Sequence, residues 1–394
     1  MCGTLSNGMY KSLIFALLVF SCSHGENTRN EDLDIALQST NGAEAMKKNE
    51  DSPSVISPSS VIRWQNFFKA SPSIEQRKLI EKKLINDEKK DSIDILLKKA
   101  RNEMAIGRYS QAEASYREIL HKNSENLESI LELASLYLRK KNLDRVFEFL
   151  SQLKESLVVM EQPDSAFVFR FRYTLALAYI ARGDRAKGHK ILSDLIALDK
   201  SFTPGYAALA SSYANEGKYN MARFIAMRGL DRGNEHPALY NILGVVSEYL
   251  DTLESAEKWY NKAHDLSPTF APVLVNRANL NIKRFDYKAA EEDLIKALRY
   301  DEINLDGLIS LAIIKKKDGQ YDASRSLLNK AIEFEPENAK ARFNLAVLMA
   351  DSLNNESEAV RLFQEVVQIE NSSGNLSDIA AQYLDDIKGS REAY

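Results

Sequence analysis

The stretch "RFDYKAAEEDLIKALRYDEI", residues 284–303, returns in pattern as "DGQYDASRSLLNKAIEFEPE" at residues 318–337. Related stretches begin at Arg182, Glu216 and Leu250, so five units follow one another with a period of 34 residues. Apolar residues recur at helical spacing within each unit. A fixed period of this length indicates a stack of helix pairs, in which each pair covers the apolar face of the next.

The period extends to eight repeat frames. The step from the second frame to the third is 42 residues, so eight extra residues lie near positions 155–168. The eighth frame carries one extra residue, which moves the small residue of its second helix to Ala359. The frames open at Ile93, Leu127, Phe169, Thr203, Pro237, Ala271, Leu305 and Ala339.

Position 8 of every frame holds a small residue. Two antiparallel helices approach to about 8 Å only where the side chains at their crossing are small, so this column predicts a helix crossing in each repeat. Position 20 is also small in most frames, and Val146 is its clearest departure. Position 8 reads Ala100, Ala134, Ala176, Ala210, Gly244, Ala278, Ala312 and Ala346.

This pattern resembles the tetratricopeptide repeat. The resemblance implies an all-α fold, a right-handed superhelical solenoid of about eight helix-pair repeats over residues 93–370. We expect a capping helix and tail over residues 371–394, because a solenoid must cover its last apolar face and "LSDIAAQYLDDIKG" has a polar back. Helical spacing over residues 61–92 predicts short N-terminal helices, with an interruption at Pro72.

A short apolar run lies near the N-terminus, from Leu13 to Phe20. A helix needs about 20 apolar residues to span the hydrocarbon core of a bilayer, so this run predicts a signal rather than a membrane anchor. The signal peptide is expected to cover residues 1–21, with translation starting at Met1 or Met9.

The run ends in "VFSC", which resembles a bacterial lipobox. The resemblance implies lipid on Cys22 and membrane anchoring through that lipid. Residues 22–60 are rich in Ser, Asn, Glu and Asp and predict a flexible tether between the lipid and the repeats. The alternative is an ordinary secretory signal cut near Ser21 or Ser23, with Cys22 incidental.

The composition argues against several function classes. The chain has 52 basic and 56 acidic residues, well mixed, for a net charge of -4, so we expect no nucleic-acid partner. Cys2 and Cys22 both precede the repeats, which leaves no thiolate metal site in the array. The five histidines are scattered, and no catalytic or phosphate-binding motif is present. We therefore expect no enzyme, no metal, no cofactor and no small-molecule substrate.

In the tetratricopeptide family the first helix of each pair lines a concave groove. The resemblance implies an apolar stripe on the last four repeats, which would bind an amphipathic helix or an extended apolar segment of a protein partner. Lys316 and Lys317 would flank this stripe. The alternative is that neighbouring helices, or the N-terminal helices around Trp64 and Phe67, already bury it. The stripe residues are Asn241, Val245, Val275, Asn279, Ile309, Ile313, Phe343 and Val347.

Two functions are consistent with the sequence. The first is a lipid-anchored scaffold or adaptor that mediates protein–protein interactions in the assembly of a cell-envelope machine for pili, secretion or gliding motility. Ser23 after the cysteine favours an outer-membrane lipoprotein facing the periplasm. The second is a soluble periplasmic or secreted scaffold that recruits cell-wall enzymes.

Overall fold

The computed structural model describes residues 72–87, 92–160, 164–232, 235–370 and 375–392. The regular structure within these ranges is helical throughout, as the period predicted. The predicted signal peptide, Cys22, the tether, Trp64 and Phe67 lie outside them.

Eighteen helices follow one another in the described ranges, and seven of the eight frames open at the first residue of a helix. We call the first helix of each repeat its A helix and the second its B helix. The helices are α1 (Ile74–Asp87), α2 (Ile93–Ala105), α3 (Tyr109–Lys122), α4 (Leu127–Arg139), α5 (Leu143–Val159), α6 (Ser165–Ala181), α7 (Arg185–Leu198), α8 (Thr203–Asn215), α9 (Tyr219–Leu230), α10 (Pro237–Leu250), α11 (Leu253–Leu266), α12 (Ala271–Lys283), α13 (Tyr287–Tyr300), α14 (Leu305–Lys317), α15 (Tyr321–Phe334), α16 (Ala339–Asp351), α17 (Glu356–Ile369) and α18 (Asn375–Glu392).

The exception is the third repeat, whose A helix α6 begins four residues before Phe169. The preceding B helix α5 is also long, and both helices have 17 residues. The extra residues of the sequence therefore lengthen two consecutive helices, and Asp164 starts the second of them by accepting a hydrogen bond from the backbone N–H of Ala166 (3.2 Å).

Asparagine side chains fix the start of several A helices. Asn126 accepts a hydrogen bond from the backbone N–H of Ser129 (2.9 Å), and Asn338 does the same for Ala341 (2.8 Å). An asparagine at this position satisfies one of the backbone donors that the first turn of a helix leaves unpaired. The repeat period thus sets the helix boundaries as well as the packing.

Contacts between residues divide the chain into two compact units, which we describe separately. Among the described residues, the N-terminal unit contains residues 72–276 and 299–302, and the C-terminal unit contains residues 277–298 and 303–392. The helices of one pair pack on each other within each unit, as α4 and α5 do in the first and α16 and α17 in the second.

The small residues at position 8 lie buried inside the helix pairs. All seven alanines of position 8 are fully buried. In the N-terminal unit a Cβ on Gly244 would lie 2.3 Å from the ring of Tyr260. In the C-terminal unit Ser324 donates a hydrogen bond to the carbonyl oxygen of Ala312 (2.8 Å), which joins position 20 to position 8 directly. The close helix crossing predicted from the sequence is confirmed.

The turn between the A and B helices contains one left-handed residue in seven of the eight repeats. Position 15 has positive φ in six frames, and the shifted eighth frame has it at Asn354. Glycine adopts this conformation without strain, whereas larger residues do so at a cost. Four frames hold glycine at position 15, and the other two hold Lys141 and Phe285.

The C-terminal unit ends in α18, which covers the last repeat. The ring of Tyr383 stacks on Phe363 with centroids 4.8 Å apart and meets Phe343 edge to face at 6.1 Å. Leu376 and Ala380 are buried in the same apolar core. This helix therefore supplies the apolar cover that the end of the array requires.

The N-terminal unit is held together by contacts between its two ends. Arg77 on α1 is buried and donates to the carbonyl oxygen of Ile106 (2.8 Å), and its guanidinium lies over the ring of Tyr300 (4.6 Å). Thr269 donates to the carbonyl oxygen of Pro72 (2.7 Å). The first helix thus contacts both the first repeat and residues that follow it by about 200 positions.

Candidate binding surfaces

The predicted stripe residues of the C-terminal unit are mostly core residues. Ile309, Phe343 and Val347 are buried, and Ile313 is half-buried. Phe343 is covered by the rings of Phe363 and Tyr383, as described above. These residues therefore do not form a continuous exposed apolar stripe in this unit. Neighbouring helices bury most of their side chains, which was the alternative considered from the sequence. A role of the groove in binding stays a prediction.

Polar side chains of the stripe bind the next A helix. In the N-terminal unit Asn276 donates to the side-chain oxygen of Asn241 (2.9 Å). In the C-terminal unit Ser310 donates to the side-chain oxygen of Asn279 (2.8 Å). These hydrogen bonds fix the spacing between successive A helices. Val275 is buried and Val245 is half-buried, so the N-terminal unit also presents little apolar surface here.

The two predicted flanking lysines have different environments. Lys316 is half-buried and donates to Asp351 (3.1 Å) on the next A helix. Lys317 is exposed, and its ammonium lies over the ring of Tyr287 (4.1 Å). The first lysine therefore links two repeats, while the second is turned toward the edge where the A and B helices join.

A partly buried ionic network joins three A helices of the N-terminal unit, α2, α4 and α6. Arg170 donates to Glu128 (2.8 Å) and to Glu132 (2.5 Å), and Arg101 donates to the same oxygen of Glu128 (2.5 Å). Burial raises the pKa of Glu132, and the charges of Arg170 and Arg101 oppose this rise. The network pairs two arginines with two glutamates and links three successive repeats.

This network was not predicted from the sequence. Glu128 and Arg170 both stand at position 2 of consecutive frames, so their opposite charges were a signal that the frames already contained.

Ser212, His189 and Glu216 lie together in the N-terminal unit without forming a catalytic triad. The Nε2 atom of His189 lies 2.7 Å from Ser212 Oγ and 3.6 Å from Glu216 Oε1. A triad needs the carboxylate on the opposite ring nitrogen, and here both partners face the same one. Burial lowers the pKa of His189, against the charge of Glu216. This cluster gives no positive sign of catalysis.

The residues that the structure describes contain neither a metal-binding cluster nor a membrane-spanning helix. No group of three or more His, Cys, Asp or Glu side chains there is arranged to hold a metal ion. In the same residues no helix has the length and apolarity needed to cross a membrane. The expected lack of a metal, cofactor and catalytic activity stays a prediction.

Comparison with known families identifies the repeats. Residues 97–153 and 309–375 match the tetratricopeptide repeat family. The chain is 25% identical over 230 residues to the TPR repeat-containing protein YpiA of Bacillus subtilis, which covers 58% of this chain and 53% of YpiA. The chain therefore contains tetratricopeptide repeats.

A second relative is an enzyme. The chain is 31% identical over 113 residues to the human protein O-mannosyl-transferase TMTC3, which covers 28% of this chain and 12% of that protein. The matched stretches thus span about half, or much less, of the length of these two curated relatives. The shared segment is too small a part of the transferase to carry its activity to this chain.

A solved structure supports the fold. A chain of the APC/C hetero-tetramer Cut9-Hcn1 superposes with a TM-score of 0.54 at 15% identity, covering 96% of this chain and 70% of that chain. At this identity the likeness concerns the fold alone. The fold is an all-α tetratricopeptide-type solenoid of stacked helix pairs.

Proposed function

We propose that this chain is a lipid-anchored scaffold that binds protein partners in the assembly of a cell-envelope machine. The observation that carries the proposal is the stack of helix pairs itself. The apolar residues of each repeat pack against the neighbouring helices. The A helices also have an exposed surface with polar and charged side chains. Such repeats create extended surfaces that bind other proteins.

The partner contact on the C-terminal unit would be amphipathic rather than wholly apolar. Ile313 is half-buried, and exposed side chains on the A helices α14 and α16 include Asp306, Lys317 and Lys340. An amphipathic helix or an extended segment with both apolar and charged residues would match this surface. This refines the partner expected from the sequence, for which a continuous apolar stripe was assumed.

The anchoring part of the proposal rests on the "VFSC" sequence and on the composition of residues 22–60. A lipidated Cys22 would attach the chain to the outer membrane, and the tether would let the repeats reach partners in the periplasm. A soluble periplasmic or secreted scaffold is the second candidate, and it differs only in the fate of Cys22.

One experiment tests both parts. The full chain is expressed in a Gram-negative host with a photoreactive residue in place of Ile313, and cells are fractionated with and without detergent before and after irradiation. We expect the protein in the detergent-extracted membrane fraction, with cross-linked protein adducts. Cys22→Ser should move it to the soluble fraction.

Matched controls make the result specific. Cys2→Ser should leave the fractionation unchanged, because this cysteine precedes the apolar run. A photoreactive residue at exposed Glu333, on the B helix α15 of the same repeat, should give fewer adducts. Anchoring is disproved if Cys22→Ser behaves like the unchanged chain, and groove binding is disproved if Glu333 yields the same adducts as Ile313.

A further inference from the structure

The first described helix, α1, leaves apolar side chains exposed. Among its described side chains only Arg77 is buried, whereas Ile74 and Leu79 are 49% and 54% exposed. A helix of a globular protein usually turns its apolar residues toward a core and its charged residues toward solvent. In α1 a charged residue is buried while these two apolar residues stay exposed. Their apolar surface therefore has no cover among the residues that the structure describes.

The start of α1 lies beside a second exposed apolar region. The hydrogen bond from Thr269 to Pro72 (2.7 Å) holds the chain just before α1 against the loop between α11 and α12. Leu266, the last residue of α11, is 42% exposed, and Pro268 is also exposed. A chain spans at most about 3.6 Å per residue, so the Cα atom of Ile74 lies within about 7 Å of that of Pro72, and that of Leu266 within about 11 Å of that of Thr269. We call Ile74, Leu266 and Pro268 the entry surface.

The sequence that leads into Pro72 is apolar at helical spacing. It reads "VIRWQNFFKAS" over residues 61–71. On an ideal helix four large apolar side chains of this segment fall within an arc of about 120°, whereas Arg63 falls outside it. The sequence thus predicts one continuous apolar face next to the entry surface. The four residues are Val61, Trp64, Phe67 and Phe68.

Two features favour this segment as the occupant of the entry surface. It is joined covalently to Pro72, so its effective concentration there is roughly millimolar and even a weak apolar contact holds it in place. Its 11 residues span about 16 Å as a helix, which is long enough to cover the entry surface. A second copy of the chain, or another protein, would have to compete with a segment that is tethered directly beside this surface.

We infer that residues 61–71 dock on the entry surface of the same chain through the face that carries Trp64. This docking goes beyond the proposed function and does not depend on lipid at Cys22. It also sets the point at which the predicted tether, residues 22–60, leaves the array. That point lies beside the loop between α11 and α12 in the fifth and sixth repeats, rather than at a free end of the first repeat.

Trp64 can report this docking, because Trp259 is the only other tryptophan of the chain. The full chain is prepared with Cys2→Ser, Cys22→Ser and Trp259→Phe, and circular dichroism verifies that each variant is folded. We expect Trp64 to emit at a shorter wavelength than N-acetyltryptophanamide and to be quenched more slowly by acrylamide. Leu266→Ser and Ile74→Ser should each shift both values toward those of the free amide.

Trypsin gives a second measure of the same contact. Cleavage after Arg63 requires that the segment leaves the entry surface, so its rate follows the population of the open segment. Leu266→Ser should accelerate this cleavage roughly tenfold, because the variant loses one apolar contact of leucine size. Mass spectrometry of the fragments identifies the cleavage site.

Leu198 provides a matched control. It is the last residue of the B helix α7, is 37% exposed, and stands at the same frame position as Leu266, two repeats earlier. Leu198→Ser should change cleavage after Arg63 by less than about twofold. In the same cysteine-free chain, Leu266→Cys carrying a nitroxide should quench Trp64 by contact, whereas Leu198→Cys carrying it should not.

Several results would overturn the inference. Trp64 values equal to those of the free amide would do so, as would equal effects of Leu266→Ser and Leu198→Ser. Protection that rises with protein concentration, together with a dimer in light scattering, would assign the surface to a second copy. Protection seen only with phosphatidylethanolamine–phosphatidylglycerol vesicles would assign the segment to a membrane. None of these outcomes alters the Cys22→Ser fractionation or the cross-linking at Ile313, so the proposed function is judged separately.

Discussion

Glu113, on α3, shows how one carboxylate links two repeats of the N-terminal unit. It accepts hydrogen bonds from the hydroxyl of Tyr137 (2.7 Å) and from the ammonium of Lys140 (2.5 Å), both in the second repeat. Burial raises the pKa of Glu113, but the hydrogen bonds from Lys140, Tyr137 and Arg117 outweigh it and lower the pKa to about 2. The ionised form is therefore the one that the folded chain stabilises.

This pKa predicts a pH-dependent stability. Because the folded pKa lies below the unfolded one, Glu113 stabilises the fold fully above about pH 4.5 and loses this effect as the pH falls towards 2. Glu113→Gln should lower the free energy of unfolding by roughly 1–3 kcal/mol at pH 7. Urea unfolding at pH 7 and pH 3 should show a smaller difference at pH 3.

Glu118 provides the control for this prediction. It lies on the same helix and pairs with Lys122 at the surface (3.0 Å), so Glu118→Gln should cost less than about 1 kcal/mol. A Glu113→Gln effect that grows on acidification would contradict the assigned hydrogen bonds.

At the scale of the helix, position 8 decides how closely two helices cross. Ala278 on α12 is fully buried. Ala278→Leu should overpack the crossing and lower the free energy of unfolding by roughly 1–3 kcal/mol. Lys296→Leu, at an exposed position of the next helix, should change it by less than about 0.5 kcal/mol. Equal unfolding midpoints for the two variants in urea would mean that position 8 does not lie at the crossing.

The helices are also the level at which the sequence was most informative. A small residue such as Ala278 recurs at position 8 because two helices cross closely there in each repeat. The repeat period alone therefore predicts where the helices lie and where they cross. The burial of Phe343 was not predictable in this way, because it depends on Tyr383 of a helix that follows the repeats. The strain at Phe285 was equally hidden, since a sequence does not give φ.

At the scale of the whole molecule, Gly107 marks a contact between distant parts of the N-terminal unit. A Cβ added there would lie 2.2 Å from the carbonyl oxygen of Tyr300, and the residue has φ +82°. Gly183 has a similar φ of +95° with nothing within 4 Å of an added Cβ. Both glycines therefore have a left-handed backbone conformation, but only Gly107 is also in close contact with another part of the chain.

Alanine substitutions separate these two effects. Gly183→Ala should cost about 1 kcal/mol through backbone strain alone. Gly107→Ala should cost this amount and roughly 1–3 kcal/mol more, because the backbone at Tyr300 must move. Thermal and urea unfolding of both variants would measure the difference. Equal losses of stability would show that the contact contributes nothing.

The contacts of α1 have a consequence for folding and for mechanical load. In a solenoid whose repeats contact only their neighbours, folding can start at any repeat and spread to the next, and unfolding starts at the ends. Arg77 and Tyr300 are about 220 positions apart, so the chain entropy lost in bringing them together becomes small only after the repeats between them have folded. The closed unit should therefore form late and come apart in one step. A force applied at Pro72 would act first on its hydrogen bond with Thr269, so a pull at this end would open the closure before it peels a repeat.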